Sequence, residues 1–181
     1  MSSSKGHDHA PVEYRFCPCC AGGLEKRKLK AGEPERLVCR RCSFVFYLDP
    51  KVVAGTIAAI ENRVVLLRRG VEPAMGRWVF PGGYMDRGES VQEAALRETK
   101  EEANLDVRLC ALLGVYSYPH SPNVIVVYSA EIIGGELAAG DESVEAQTFA
   151  ASQIPWEELA FPSTRDALRD YVRLYLSSKM G

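Results

Sequence analysis

A helical period of apolar and polar residues runs from Ser90 to Asn104, near the middle of the chain. Ser90 and Glu93 have the spacing of a capping box, so we expect a helix that begins at Val91. Asn104 tolerates the left-handed conformation that commonly ends helices, so the helix should stop there. The face that we expect to pack against a core consists of four residues: Gln92, Leu96, Thr99 and Ala103.

The other face of this predicted helix changes character along its length. Its first two turns are small and apolar, and its last turns present three glutamates: Glu98, Glu101 and Glu102. Like charges at these spacings repel, and acidic groups at a helix C-terminus oppose the helix dipole. We therefore expect this end of the helix to bind a cation, because clustered carboxylates are hard oxygen ligands suited to Mg²⁺ or Mn²⁺. A solvated acidic helix end is the alternative.

Apolar runs with strand character flank the helix. Lys51–Ile60 and Arg63–Arg68, which are separated by Glu61-Asn62, predict a hairpin. Three more strands are predicted after the helix: Val107–Ser117, Val124–Ile132 and Val144–Ala150. The order of these elements predicts a mixed α/β fold.

Shorter elements complete the pattern. Gly70–Gly76 should be a loop, and the glycines of Pro81-Gly82-Gly83 would let the backbone approach a ligand closely. Ile154–Leu159 predicts a short helical turn, and Ser163 is predicted to cap a last helix. The apolar stripe of that helix consists of Leu168, Tyr171, Val172 and Tyr175.

Composition allows one domain of ordinary size with a small appendage, since the chain has 181 residues, of which 46% are hydrophobic. The formal net charge of −2 does not indicate a nucleic acid or an anionic membrane as partner. The longest apolar run, around Asn123–Ile133, is too short to span a bilayer. No secretory signal is visible near the N-terminus, so we expect a cytoplasmic protein without a membrane partner.

Four cysteines near the N-terminus form two C-x2-C pairs. Cys17 and Cys20 make the first pair, and Cys39 and Cys42 make the second after eighteen intervening residues. Two such pairs joined by a hairpin, here with its turn at Ala31–Pro34, predict a zinc ribbon. Disulfides are the competing interpretation, which the lack of an export signal disfavours.

Two other cysteines need an assignment. Cys19 lies between the cysteines of the first pair and could replace Cys20 as a ligand, although Cys20 keeps both pairs at the same spacing. Cys110 stands alone in an apolar context and is predicted to be buried.

The predicted ribbon is rich in basic residues: Lys26, Arg27, Lys28, Lys30, Arg36, Arg40 and Arg41. Such a surface could bind phosphates, but Glu25, Glu33 and Glu35 dilute its charge. A structural or dimerising module is the alternative, and both interpretations stay open. Nucleic acid is the less favoured partner.

The spacing around the central helix resembles the Nudix box, G-x5-E-x7-R-E-U-x-E-E-x-G-U. The matching positions are Gly83, Glu89, Arg97, Glu98, Glu101 and Glu102. Thr99 stands where an aliphatic residue is usual, and Asn104 stands where glycine is usual. With Trp78, Pro81-Gly82-Gly83 and the zinc ribbon upstream, the chain resembles zinc-ribbon Nudix proteins from about Phe16 to Leu176.

This resemblance implies the architecture. The fold would be the Nudix α/β/α sandwich around a mixed β-sheet, preceded by a small N-terminal zinc ribbon. We expect a flexible tail over residues 1–15, the ribbon over residues 16–46 and the Nudix hydrolase domain over residues 47–181. Relatives of this kind are commonly homodimers, which makes a homodimer a candidate assembly here.

The resemblance also implies metal-binding and catalytic roles. Glu98, Glu101 and Glu102 would bind between one and about three Mg²⁺ ions, with the Gly83 carbonyl as a further ligand. The ions would bridge a diphosphate and activate a water for in-line attack. Either Glu98 or Glu102 could take the proton from that water. A carboxylate from a later loop is the alternative, and Glu142 is preferred to Glu145 for that role.

Supporting roles follow from the same resemblance. Arg97 and Glu89 would fix the loop that precedes the helix against the helix itself. Four residues are candidates for contacts with base or ribose, although structural roles compete for each: Arg77, Tyr84, Tyr118 and His120.

The expected activity is that of a Mg²⁺-dependent pyrophosphohydrolase. It would cleave a nucleoside diphosphate linked to another moiety, X, into a nucleoside monophosphate and phospho-X. The resemblance to ribbon-bearing relatives implies ADP-ribose or FAD as substrate, then NADH. The NADH pyrophosphatases carry a longer signature, which Phe161-Pro162-Ser163 matches only at its end. One alternative is a nucleoside triphosphate pyrophosphatase. Another is a non-catalytic nucleotide sensor whose ribbon binds nucleic acid or a partner.

Overall fold

A computed structural model describes residues 13–119 and 121–176 of this protein. Most of the predicted tail over residues 1–15, and the candidate ligand-binding residue His120, lie outside the described residues. The chain divides into two compact units at the bond between Asp49 and Pro50. Each unit is described by itself.

The first unit is a small antiparallel sheet. Its strands are β1 (Leu24–Arg27), β2 (Arg36–Cys39) and β3 (Val45–Phe46), in that spatial order. The predicted hairpin between the cysteine pairs is therefore confirmed, and the short strand β3 was not predicted. The buried hydrophobic residues in the described part of this unit are Val38 and two cysteines, Cys17 and Cys39. The apolar core of the unit is therefore very small.

The second unit has one large sheet and two α-helices in its described residues. Its elements are β4 (Lys51–Ile60), β5 (Arg63–Arg69), β6 (Trp78–Val79), β7 (Gly82–Tyr84), α1 (Val91–Ala103), β8 (Leu105–Ser117), β9 (Asn123–Gly135), β10 (Ser143–Phe149) and α2 (Pro162–Tyr171). The predicted strands are confirmed with small shifts at their ends. Two 3₁₀ turns (Ala151–Gln153 and Trp156–Glu158) precede α2, and a π-helical turn (Val172–Leu176) follows it.

The sheet is mixed, as predicted. Its strand order is β10-β5-β4-β9-β8, with β6 beside β5 and β7 beside β4. Only the β4–β9 pair is parallel among the described strands. Glu61 and Asn62 both have positive φ at the turn of the β4–β5 hairpin, as a type I′ turn requires.

The two helices cover opposite faces of this sheet. Ile57 and Leu66 belong to the apolar cluster that contains Leu168 of α2. Their neighbours in sequence, Ala58 and Leu67, belong to a cluster with Ala103 of α1. Because successive strand residues point to opposite faces, this division gives the predicted α/β/α sandwich.

The limits predicted for α1 are confirmed by its caps. Ser90 and Glu93 form both hydrogen bonds of the capping box, and Asn104 adopts the left-handed conformation with φ 55°. The predicted core-facing side is only half right, since Thr99 and Ala103 are buried but Gln92 and Leu96 are exposed. The helix packs instead through its alanines, which let its backbone approach Ala54 of β4 closely.

Two further predictions are wrong. The N-cap of α2 is Phe161 rather than Ser163, because Pro162 takes the first helical position, where its fixed φ and missing N–H are favourable. Cys110 is exposed rather than buried, because β8 is an edge strand and Cys110 alternates with the inward-facing Leu109.

No helix within the described residues is both long and apolar enough to cross a membrane.

Candidate active site and zinc centre

The four predicted zinc ligands converge in the first unit. The Sγ atoms of Cys17, Cys20, Cys39 and Cys42 all lie within 4.8 Å of one another. Three of the separations are 3.3, 3.5 and 3.7 Å, close to the spacing of about 3.8 Å that tetrahedral Zn–S bonds of ~2.3 Å would impose. The cluster therefore fits a zinc ion. All cysteines in the described residues are free thiols.

Backbone groups favour thiolates in this cluster. The N–H of Cys19 donates to Cys17 Sγ, and the N–H of Arg41 donates to Cys39 Sγ, each at 3.4 Å. The backbone N–H of Cys42 is the main cause that lowers the pKa of the Cys39 thiol, to about 6. Burial opposes this shift, and the backbone N–H of Arg41 adds to it. Metal ligation needs the deprotonated form, so these donors prepare the site for a cation.

The Nudix-box residues meet at the junction of α1 with β7 in the second unit. Gly82 and Gly83 of β7 pair with Gly55 and Ala54 of β4. A side chain at Gly55 would place its Cβ 2.6 Å from the Pro81 carbonyl oxygen, so glycine is required for this crossing. The pairing fixes the glycine segment directly beside the acidic end of α1.

Glu98 lies against the backbone of Gly83. A Cβ at residue 83 would be only 2.5 Å from Glu98 Oε2, so the absent side chain leaves room for this carboxylate. The Glu98 side chain is 12% exposed. Desolvation raises its pKa, and the neighbouring Arg97 opposes that shift.

Glu102 is the most desolvated of the three glutamates. Its Oε2 accepts a hydrogen bond of 2.8 Å from the backbone N–H of Gly82. Desolvation raises the pKa of Glu102 to about 7. The hydrogen bond from Gly82 opposes this shift, and the charges of Glu98 and Glu142 add to it. A carboxyl group in this setting has too little positive charge nearby, which a divalent cation would supply.

Arg97 ties the loop before α1 to the helix. Its Nε and Nη2 donate to both carboxylate oxygens of Glu89 at 3.1 and 2.7 Å, and Nη2 also donates to the Tyr84 carbonyl. Its Nη1 donates to Glu98 at 2.7 Å and to Glu101 at 3.1 Å. These carboxylates raise the pKa of Arg97, and the hydrogen bonds from Arg97 lower the pKa of Glu89.

Glu101 is the most exposed of the three glutamates, with 58% of its side chain accessible. Within the described residues, only the cysteine cluster brings its ligand atoms together tightly enough for one closed metal site. The glutamates are instead drawn apart, since Glu98 and Glu101 face Arg97 while Glu102 faces Gly82. This arrangement suits ions held by one or two carboxylates and completed by phosphate oxygens, as Mg²⁺ prefers.

A cavity of about 890 Å³ opens above this junction. Glu98, Glu101 and Glu102 line it together with Gly83, Tyr84 and Arg97. Glu142 lines it as well. Glu145, on β10, is not among the lining residues, and its carboxylate pairs with Arg68 of β5 at 3.5 Å.

Of the residues predicted to contact base or ribose, some line the cavity and one does not. Tyr84 and Tyr118 line the cavity, and the Tyr118 hydroxyl donates to Asp166 at 2.7 Å. Burial, together with Asp166, raises the pKa of Tyr118. Arg77 lies outside the described lining, because its guanidinium donates to the carbonyls of Glu157 and Leu159. Arg77 therefore serves the fold here.

Other lining residues were not found from the sequence. Those with polar or aromatic side chains include Arg69, Asp86, Asn123, Asp141, Phe161 and Thr164. Arg69 reaches the cavity from the end of β5, donates to the Pro73 carbonyl at 2.8 Å and lies over the Phe161 ring. Its charge also lowers the pKa of Glu102. No local sequence signal separates these residues from ordinary loop and helix-start positions, because the tertiary packing alone brings them together.

This fold and site define a family of hydrolases. A family model described as "NUDIX domain" matches residues 49–173, and a second one described as "Nudix N-terminal", a zinc ribbon, matches residues 15–48. The chain belongs to the Nudix family and is a hydrolase acting on phosphorus-containing anhydrides.

Two curated proteins of named activity are similar to this chain. An ADP-ribose pyrophosphatase from Methanocaldococcus jannaschii is 39% identical over 131 residues, which cover 70% of this chain and 76% of the relative. A NAD-capped RNA hydrolase, NudC, from Stutzerimonas stutzeri is 27% identical over 172 residues and covers 93% of this chain. The chain spans 58% of the length of that second relative.

Among solved structures, a Nudix hydrolase from Nitrosomonas europaea matches with a TM-score of 0.85 and 34% identity. The match covers 91% of this chain and 93% of that one. The similarity therefore extends over the ribbon sequence as well as the hydrolase domain.

Proposed function

We propose that this protein is a Mg²⁺-dependent pyrophosphohydrolase that cleaves the diphosphate of a nucleoside diphosphate linked to another moiety. ADP-ribose and FAD are the favoured substrates, followed by NADH. The observation that carries the proposal is the cavity in which Glu98, Glu101, Glu102 and Glu142 face an open space large enough for a dinucleotide. The relative named ADP-ribose pyrophosphatase supports the choice of ADP-ribose.

Glu98, Glu101, Glu102 and the Gly83 carbonyl would hold the divalent cation. When bound, that cation neutralises the diphosphate and lowers the pKa of the attacking water. The desolvated Glu98 and Glu102 fit this role, because they lie beside a backbone segment with no side chain to block access. The zinc ion of the ribbon is a separate, structural cofactor in this proposal.

The remaining steps belong to the chain itself. We assign to Glu142 the acceptance of the proton from water, since it lines the cavity and its charge is felt at Glu98 and Glu102. Glu98 and Glu102 remain the alternatives for this base. Arg97 and Glu89 hold the loop that carries the Gly83 carbonyl. Arg69 is placed to pair with a phosphate oxygen.

The predicted domain limits, with the ribbon over residues 16–46 and the hydrolase domain over residues 47–181, are kept in this proposal. A cytoplasmic location and a homodimer also stay predictions. A nucleoside triphosphate pyrophosphatase would use the same acidic centre, so the substrate must be decided by experiment.

The test is a product analysis with a panel of ADP-ribose, FAD, NADH and ATP in the presence of Mg²⁺. The proposal predicts AMP and ribose 5-phosphate from ADP-ribose, and AMP with the other half from FAD or NADH. Preferential turnover of ATP would favour the triphosphate pyrophosphatase. Binding of these nucleotides without turnover of any of them would favour the non-catalytic sensor.

A further inference from the structure

The cavity has two chemically different groups of lining residues. One group is acidic and comes from α1 and from Asp141 and Glu142 before β10. The other is neutral and comes from the starts of β9 and α2, with apolar neighbours on β4 and β6–β7. Its apolar members are Val53, Phe80 and Ile125. The first group suits metal and diphosphate, so the second is available for an uncharged part of the substrate.

Thr164 presents an unexplained polar atom in the neutral group. Its side chain is fully buried, with an exposed fraction of 0%, and its Oγ1 has no hydrogen-bond partner. It lies in the first turn of α2, whose N-cap, Phe161, supplies no side-chain hydrogen bond. A buried hydroxyl without a partner destabilises a fold, and native structures contain few of them.

Asn123 presents the same feature on the neighbouring strand. Its Oδ1 is buried without a partner at the start of β9, although its backbone N–H donates to Ser121. Within residues 13–119 and 121–176, these two atoms are the buried side-chain polar atoms that lack a partner. Both residues line the same cavity. Both unpartnered atoms of the described residues therefore belong to side chains that line one cavity.

The chemistry of the two groups limits the ligand that would satisfy them. Both are uncharged, so they offer little to a phosphate compared with Arg69. Asn123 Oδ1 accepts a hydrogen bond, and the Thr164 hydroxyl can donate one. The aromatic and aliphatic residues that line the same cavity favour a flat apolar ring. A heteroaromatic ring that carries an N–H donor beside a ring-nitrogen acceptor meets all of these requirements.

We propose that Asn123 and Thr164 recognise the nucleobase of the substrate, and that they select adenine. Adenine offers its exocyclic amino group to Asn123 Oδ1, as it does to asparagine in other complexes, and a ring nitrogen to the Thr164 hydroxyl. Hypoxanthine has the opposite pattern at the same edge, since it carries a carbonyl where adenine has the amino group. This inference deepens the proposed function and rests on it for the identity of the substrate.

The test uses adenosine and inosine as probes, because neither has a phosphate and neither depends on the metal. Binding is followed by NMR titration with the full chain. We expect adenosine to bind more tightly than inosine. Thr164→Val, which keeps the side-chain shape, should weaken adenosine binding about fivefold to tenfold, as expected for one hydrogen bond. Asn123→Leu should act similarly, and both variants should reduce the preference over inosine.

Thermal unfolding of the same variants separates recognition from a structural role. Thr164→Val should be at least as stable as the parent, because it removes a hydroxyl that has no partner in the free protein. Thr99→Val is the matched control. Its hydroxyl is equally buried but is bonded to Thr56 and Ala95, so this variant should lose stability and keep its adenosine affinity.

Two results would overturn the inference. One is equal affinity of the parent for adenosine and inosine. The other is a Thr164→Val variant that loses stability as Thr99→Val does but binds adenosine like the parent. Neither result concerns the diphosphate chemistry, which the AMP-release assay measures independently. A protein with adenosine selectivity and no turnover would retain the base site and lose the proposed enzymatic function.

Discussion

The Oγ1 atoms of Thr99 and Thr56 lie 2.7 Å apart in the fully buried space between α1 and β4. Thr99 also donates to the Ala95 carbonyl at 2.7 Å, so Thr56 provides the hydrogen of the bond between the two hydroxyls. Thr99 stands where the Nudix box usually has an aliphatic residue. The departure is accommodated because β4 supplies a matching polar side chain.

The direction of this hydrogen bond predicts unequal effects of mutation. Thr99→Val should destabilise the protein by about 1–3 kcal/mol, because the Thr56 hydroxyl is left buried without an acceptor. Thr56→Val should have the smaller effect, since Thr99 keeps its bond to Ala95. The double Val variant should recover most of the loss. Urea unfolding measures all three, and additive losses in the double variant would contradict the assigned pairing.

The zinc centre predicts which cysteines are needed for metal. Cys20→Ser should lower the zinc content well below one ion per chain, because Cys20 Sγ lies 3.5 Å from Cys39 Sγ and 3.3 Å from Cys42 Sγ. Cys19→Ser is the matched control, since Cys19 is exposed and outside the cluster, and it should retain its zinc. Elemental analysis of the gently purified variants measures the number of zinc ions per chain in each. Zinc loss in the Cys19 variant alone would reverse the ligand assignment.

The clamp between Arg97 and Glu89 predicts a loss of turnover without a large loss of binding. Glu89→Gln keeps the size of the side chain but weakens the bidentate pair, so kcat should fall about 10- to 100-fold while KM changes little. Glu93→Gln, at the start of the same helix, serves as the control because its capping role tolerates the amide. Steady-state kinetics provide the readout. A Glu89 variant whose KM rises at constant kcat would indicate a role in substrate binding instead.

The raised pKa of Glu102 predicts how pH affects the stability of protein without bound Mg²⁺. The folded state holds this proton up to about pH 7, whereas an ordinary glutamate loses it near 4.5. The folded state therefore binds more protons between these values, and its free energy of unfolding should decrease as pH rises through that window. Glu102→Gln should reduce this decrease. Urea unfolding at pH 5 and pH 8, in buffer without added divalent metal, measures the change in the free energy of unfolding for the parent and for Glu102→Gln. An identical change in the two proteins would be contrary to this prediction.

Local signals explain why α1 could be predicted closely. Its capping box and the left-handed Asn104 depend on residues within a few positions of each other, and the spacing of its glutamates is visible in the sequence. The side of α1 that packs was predicted less well. That choice depends on how closely Ala54 of β4 allows the helix to approach, which favours the alanines and leaves Leu96 at the flank.

The neutral part of the cavity could not be predicted for a related reason. Asn123 begins β9 and Thr164 lies in the first turn of α2, so they are forty-one positions apart in the chain. Only the tertiary fold brings both to one cavity, and only the whole set of contacts shows that their polar atoms lack partners. Arg69 entered the site in the same way, through the end of a strand with no motif of its own.

The central claim is that the three glutamates of α1 form the metal-dependent catalytic centre for diphosphate hydrolysis. Glu101→Gln tests it most directly, because Glu101 is the most exposed of the three and its substitution should disturb packing least. Glu131→Gln is the control, since Glu131 pairs with Arg108 near the edge of the sheet. We predict that AMP release from ADP-ribose with Mg²⁺ falls by orders of magnitude in Glu101→Gln and is unchanged in Glu131→Gln. Equal AMP release by the parent and Glu101→Gln would contradict the claim.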